Sequence, residues 1–167
     1  DQTQLLILSN GLGNIEVMAK HVDKSQIVAG VTLWTSSLVK PGEIHTTGSG
    51  SIKLQALAGG DAQPIVEALN EAGLNAELVP DVMTAIWHKA GINAVLNPLS
   101  VLLDANIAEF GTAGNAMDMA LNILDEMKQV GASQGIKVDV AGIIADLSRL
   151  LKPENAGNHY PSMYQDI

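Results

Sequence analysis

The chain has 167 residues, with nine Lys and Arg against eighteen Asp and Glu and a formal net charge of −9; that balance repels phosphate backbones and excludes a general nucleic-acid binder. There is no cysteine, which removes disulfides, thiolate nucleophiles and cysteine-ligated zinc. No basic-then-apolar leader opens the sequence and no apolar run approaches the roughly 18 residues of a membrane span, so a cytoplasmic protein with no membrane partner is expected.

Apolar residues make up 47% of the chain and aromatics only 3%, so the core must be aliphatic. Residues 4–8 form a short continuous apolar run closed by Asn10-Gly11, the pattern of a buried strand. Further strands are expected at 27–32, 44–46 and 51–57, separated by Lys40-Pro41-Gly42 and by the tract Gly48-Ser49-Gly50-Ser51, read as a flexible loop. Residues 61–72 read as a helix with an Asp cap and Gly73 as its stop, followed by a last strand at 76–79.

From Asp81 the texture changes to helical, with a boundary placed near Pro80. A long helix starts at Asp81 and carries Met83, Ile86, Trp87 and Ile92. A second is expected over 112–134, with a stripe of Ala116, Met117, Ala120, Ile123, Leu124, Met127 and Val130 and with Met119 as further core filler. A third opens at Asp139 with Val140, Ile143, Ile144, Leu147 and Leu150 at similar spacing. Residues 152–158 read as a loop, and Pro161-Ser162 opens one more helix.

The stretch Trp87-His88-Lys89-Ala90-Gly91-Ile92-Asn93-Ala94-Val95-Leu96-Asn97-Pro98-Leu99 carries the chemistry. Lys89, Asn93 and Asn97 fall at i, i+4 and i+8, each turned about 40° from the last, so one helix face presents an ammonium and two amides among apolar neighbours. Facing a cleft, Lys89 would have its pKa lowered by desolvation and could donate a proton near neutral pH. Facing solvent, it would merely extend along the surface, with Asn97 capping a new helix that has Pro98 at its first position. The residues alone leave both readings open.

Asn10-Gly11-Leu12-Gly13-Asn14 follows the first strand but lacks the third glycine of a dinucleotide fingerprint. Glu16 stands in its place, so a plain strand-to-helix turn is the simpler reading. Asn10, at a strand's carboxyl end, is still placed to touch a ligand. His21, His45, His88 and His159 show no metal spacing, and no metal is expected. Ser162 has no nucleophile-elbow glycines around it.

Taken together, these residues resemble the ketopantoate reductases (2-dehydropantoate 2-reductases). The match comprises Asn10-Gly11-Leu12-Gly13 after a strand, Trp87-His88-Lys89 with Asn93-Ala94 and Asn97-Pro98-Leu99, Glu126 in the next long helix, and Ser162-Met163-Tyr164-Gln165-Asp166-Ile167. The resemblance implies that residues 1–80 are the C-terminal portion of an α/β, Rossmann-type NADP-binding domain. It implies that residues 81–167 are an all-α substrate-binding and catalytic domain resembling the C-terminal domain of 6-phosphogluconate dehydrogenase. The implied reaction is NADPH-dependent reduction of ketopantoate to pantoate, a step of pantothenate and coenzyme A synthesis. Lys89 is then the general acid, Asn10 lies beside the nicotinamide, and Asn93, Asn97 and Ser162 hold the substrate.

The resemblance also implies a chain cut at both ends from a longer protein, without the family's glycine fingerprint or its acidic substrate residue, and inactive by itself. Two alternatives remain: another NAD(P)-dependent 2-keto or hydroxy acid dehydrogenase, and a non-catalytic helical module that forms a homodimer.

Overall fold

The computed structural model describes residues 3–47, 50–156 and 159–165, arranged as two compact units, Asp1–Ile86 and Trp87–Ile167. The architecture is a Rossmann-like region with a mixed sheet, followed by an all-helical region.

In the first unit the strands are β1 (Leu5–Ile7), β2 (Ile27–Thr32), β3 (Thr35–Lys40), β4 (Glu43–Thr47), β5 (Ile52–Ala56) and β6 (Ala76–Leu78), with helices α1 (Asn14–Met18) and α2 (Gln63–Glu71). A four-stranded sheet runs in the order β1-β2-β5-β6. Its outer pairs are parallel and the central β2–β5 pair is antiparallel. β2 is a run of apolar residues and Gly30, buried over its first five positions, as a strand covered on both faces must be. Val28, Ile52, Leu54, Ala62, Val66 and Ala76 form the core, with Trp34 packed against it. The Trp34 indole N–H donates to the Leu74 carbonyl at 2.8 Å.

Two expectations fail in this unit. β3 was not foreseen, because it pairs only with β4 and all six of its residues are exposed, so no alternation of buried and exposed positions marks it. In the tract read as a flexible loop, Gly48 and Ser49 lie outside the described residues, but Gly50 is buried against Trp34. A Cβ there would come within 2.4 Å of the indole, so this position is a close contact rather than slack.

The helices that follow are α3 (Val82–Leu103), α4 (Ile107–Thr112), α5 (Ala116–Ser133), α6 (Val140–Leu150), α7 (Pro153–Ala156) and α8 (Ser162–Gln165). Asp81 starts α3 by accepting the Thr84 N–H at 3.1 Å, and Asp139 caps α6 through the Gly142 N–H at 3.0 Å. Among the described residues no helix is long and apolar enough to cross a membrane.

The helix expected over 112–134 is α5, shortened at its start, and α4 before it was not expected. Asn106 caps α4 with a reciprocal bond to Glu109, and α5 starts only at Ala116. The 152–158 loop contains the short turn α7, with 157–158 outside the described residues. Val130 and Met119 are exposed rather than core. Asn97 caps nothing, because α3 continues through Pro98. The missing Pro98 N–H leaves the Ala94 carbonyl without its intrahelical donor, but Ala94 is exposed and water can serve that carbonyl. Burial of Val95, Leu96 and Leu99, each contributing about 1.5–3 kcal/mol, holds the helix together across the proline.

Ser100, one turn beyond Leu96, is fully buried, and its hydroxyl has no hydrogen-bond partner among the described residues. A buried polar group without a partner costs about 1–3 kcal/mol, so Ser100→Ala is expected to stabilise the protein by about 1 kcal/mol, read as a raised Tm. A lowered Tm would reveal a partner for the hydroxyl.

Candidate active site

Two stripes of α3 share the same four-residue spacing. Trp87, Gly91, Val95 and Leu99 are all buried, while Lys89, Asn93 and Asn97 are all half-buried. The stripes are offset by two residues, about 200° of helical rotation, and therefore lie on opposite sides of the helix.

The buried side is locked by close contacts in the second unit. A Cβ on Gly91 would come within 2.8 Å of Ile143 and 3.2 Å of the Met127 sulfur, and one on Gly131 would lie 3.4 Å from the Trp87 ring. Glycine at both places lets α3, α5 and α6 approach closely, which fixes the rotation of α3 and hence the direction of the polar ridge.

Burial pushes the Lys89 ammonium below the usual lysine pKa, the direction a proton donor near neutral pH requires. Neither the Asn93 nor the Asn97 amide is hydrogen-bonded to another described residue, so both can serve a ligand. Beside the ridge, the His88 imidazole Nε2 lies 2.9 Å from the Asp146 carboxylate, and Arg149 donates to the other oxygen of Asp146 at 2.7 Å. The hydrogen bond from Arg149 is the main reason the Asp146 pKa is lowered, with His88 adding to it. This bridge from α3 to α6 was missed in the sequence, where 58 positions separate its partners.

Ser162 is exposed at the start of α8, in the same unit as the ridge. Its segment is joined to the turn between α3 and α4: the Tyr164 hydroxyl donates to Asp104 at 2.5 Å, and the Ile107 N–H donates to the His159 carbonyl at 3.1 Å. Asp166 and Ile167 of the matching string lie outside the described residues. Asn10 belongs to the first unit. It is exposed just past β1, and its carbonyl accepts the Asn14 side-chain N–H at 3.2 Å. Gly11 and Gly13 have φ of 92° and 88°, a conformation that favours glycine, and α1 has Glu16 in its first turn. Structure thus groups Lys89, Asn93 and Asn97 on one ridge and ties Ser162 to the same unit.

Residues 81–167 match the family model described as the ketopantoate reductase PanE/ApbA C terminal, and residues 1–59 match that described as ketopantoate reductase PanE/ApbA. The 2-dehydropantoate 2-reductase of Lactococcus lactis subsp. lactis is 36% identical over 170 residues, covering 100% of this chain and 54% of that protein. Among solved structures, D-mandelate dehydrogenase with NADH superposes with a TM-score of 0.93 at 38% identity, over 100% of this chain and 57% of that one. The 2-dehydropantoate 2-reductase of Geobacter metallireducens superposes with a TM-score of 0.82 at 26% identity, over 98% of this chain and 55% of that one. The chain spans about half the length of the relatives it matches. With both halves matched in order by models of one family, the chain belongs to the ketopantoate reductase family.

Proposed function

We propose that the whole protein carrying this chain reduces ketopantoate to pantoate with NADPH, as a cytoplasmic step of pantothenate and coenzyme A synthesis. Residues 1–80 would be the C-terminal portion of its nucleotide-binding domain and residues 81–167 its substrate-binding and catalytic domain. The observation that carries this reading is the half-buried Lys89, its pKa lowered by burial, on one ridge with two amides in a chain of this family.

NADPH, when bound, supplies the hydride. The Lys89 ammonium delivers the proton to the carbonyl oxygen as charge builds there. Asn93 and Asn97, whose amides are hydrogen-bonded to no described residue, hold the substrate hydroxyl and carboxylate together with Ser162. Asn10, exposed at the carboxyl end of β1, fits a contact with the nicotinamide amide. Glu16 does not fit a pyrophosphate, so the phosphates would be held by other residues of the whole protein.

A second reading is favoured by the 38% identity to a D-mandelate dehydrogenase solved with NADH: an NADH-dependent dehydrogenase of bulkier 2-hydroxy acids, using the same ridge. Kinetics of the whole protein separate the two. With NADPH and NADH each tested against ketopantoate and phenylglyoxylate, the first reading expects kcat/KM at least about tenfold higher for NADPH with ketopantoate than for any other pair. The reverse preference, for NADH with phenylglyoxylate, establishes the second. No oxidation of either cofactor with either acid sinks both.

A further inference from the structure

Asp104 stands between two helix-end motifs that fix its backbone from both sides. Upstream, α3 closes with the Ala105 N–H on the Ser100 carbonyl at 3.0 Å and the Asp104 N–H on the Val101 carbonyl at 3.2 Å, the paired bonds of a Schellman end. Downstream, Asn106 begins the capping box of α4, with Glu109 N–H donating to its side chain at 2.9 Å and the Glu109 carboxylate accepting the Asn106 N–H at 2.9 Å. Asp104 is thereby held at φ 51°, in the left-handed region where glycine or asparagine is the usual occupant. An aspartate kept in a strained position by its surroundings suggests a use for its carboxylate.

That carboxylate accepts the Tyr164 hydroxyl. The Tyr164 ring stacks on Tyr160 with centroids 4.2 Å apart, and the Gln165 side chain donates to the Tyr160 carbonyl at 2.6 Å. His159 is tied through its carbonyl to the first N–H of α4, and Pro161 is buried. Residues 159–165 therefore form a short strap, closed on itself by the two tyrosines and fastened to the α3–α4 turn at His159 and Tyr164. Ser162 lies between these fastenings. Its own side chain is hydrogen-bonded to no described residue, so its position depends on the strap.

We propose that Asp104 and Tyr164 form a positioning pair that sets Ser162 for the substrate, acting through the strap without touching the substrate themselves. The inference rests on the reading of Ser162 as a substrate residue. Its bond to Asp104 pushes the pKa of Tyr164 up to about 12, so the hydroxyl keeps its proton, and the pair stays fastened, throughout the neutral range.

The test uses the whole protein with Ser162→Ala, Tyr164→Phe, Asp104→Ala and Asp104→Asn, measuring KM for the 2-keto acid, KM for the nicotinamide cofactor, and kcat. Tyr164→Phe keeps the ring stack and decides the matter even if Asp104→Ala fails to fold. Tyr164→Phe and Asp104→Ala are expected to raise the keto acid KM about tenfold while leaving the cofactor KM unchanged. Asp104→Asn, which keeps an acceptor oxygen and suits the left-handed backbone, should stay near wild type. The double variant Ser162→Ala with Tyr164→Phe should be no worse than Ser162→Ala alone. If Ser162→Ala raises the keto acid KM and Tyr164→Phe does not, the positioning pair is wrong. A parallel rise of both KM values would also overturn it, as mere structural damage. If Ser162→Ala itself has no effect, the reading of Ser162 fails and takes the pair with it.

Discussion

Lys89→Ala in the whole protein is expected to lower kcat by about a hundredfold or more, the contribution typical of a positioned proton donor, with a smaller change in the cofactor KM. In the role proposed for Lys89 the ammonium form is the donor, so the rate should hold at low pH and fall as pH rises through the lysine pKa. Burial has lowered that pKa, so the fall should begin below the pH at which a free lysine titrates. Lys89→Arg keeps a charge that does not dissociate in this range and should abolish both the rate and the alkaline limb.

The same burial has a stability consequence. The folded protein binds the Lys89 proton less tightly than the unfolded chain, so the group destabilises the fold when charged, and this penalty is relieved as pH rises past the folded-state pKa. Lys89→Met should therefore remove this pH dependence of stability along with the reaction. A rate unchanged by Lys89→Ala would mean that the ridge is an inert face and would favour the helical module without activity.

Trp87→Ala is expected to cost about 3–5 kcal/mol, the range for removing a large buried aromatic. Trp87 is only 2% exposed, packs where Gly131 admits it, and heads the buried stripe that orients the ridge. Unfolding followed by helical circular dichroism would measure the loss, and Trp87→Phe should recover much of it. A loss below about 1 kcal/mol would place the residue outside the load of the core. Loosening this stripe should also raise the keto acid KM, because the amides two positions along lose their fixed direction.

The ridge was legible in the sequence because helical geometry ties residues four apart, and the lysine with its two asparagines is one such series. Which side of α3 would be buried was not, since α3 is apolar on most of its surface and only the tertiary contacts of Gly91 and Trp87 choose. Asn106 and Glu109 could have announced α4, being a capping-box pair three residues apart, yet a helix of six residues is too short for an apolar stripe to mark it. The Asn97-Pro98 step looked like a helix start because proline is favoured there. Buried leucines and valine on both sides outweighed that local preference. The bridge from His88 to Asp146 and the bond from Tyr164 to Asp104 join distant parts of the chain, and no local pattern reveals such a pairing.

The β3–β4 hairpin is an excursion from a ladder that closes without it. Thr32 and Ile52 face each other across the β2–β5 pair, and the Leu33 N–H bonds to the Ser51 carbonyl at 2.9 Å, so the chain departs and returns at adjacent points. Loop length enters the closure entropy only logarithmically. This makes the hairpin a natural port for grafting or trimming beyond Trp34 and Gly50, whose contact with the core must stay: a tag or a shorter turn set between those two would leave the hydrogen bonding of the main sheet intact.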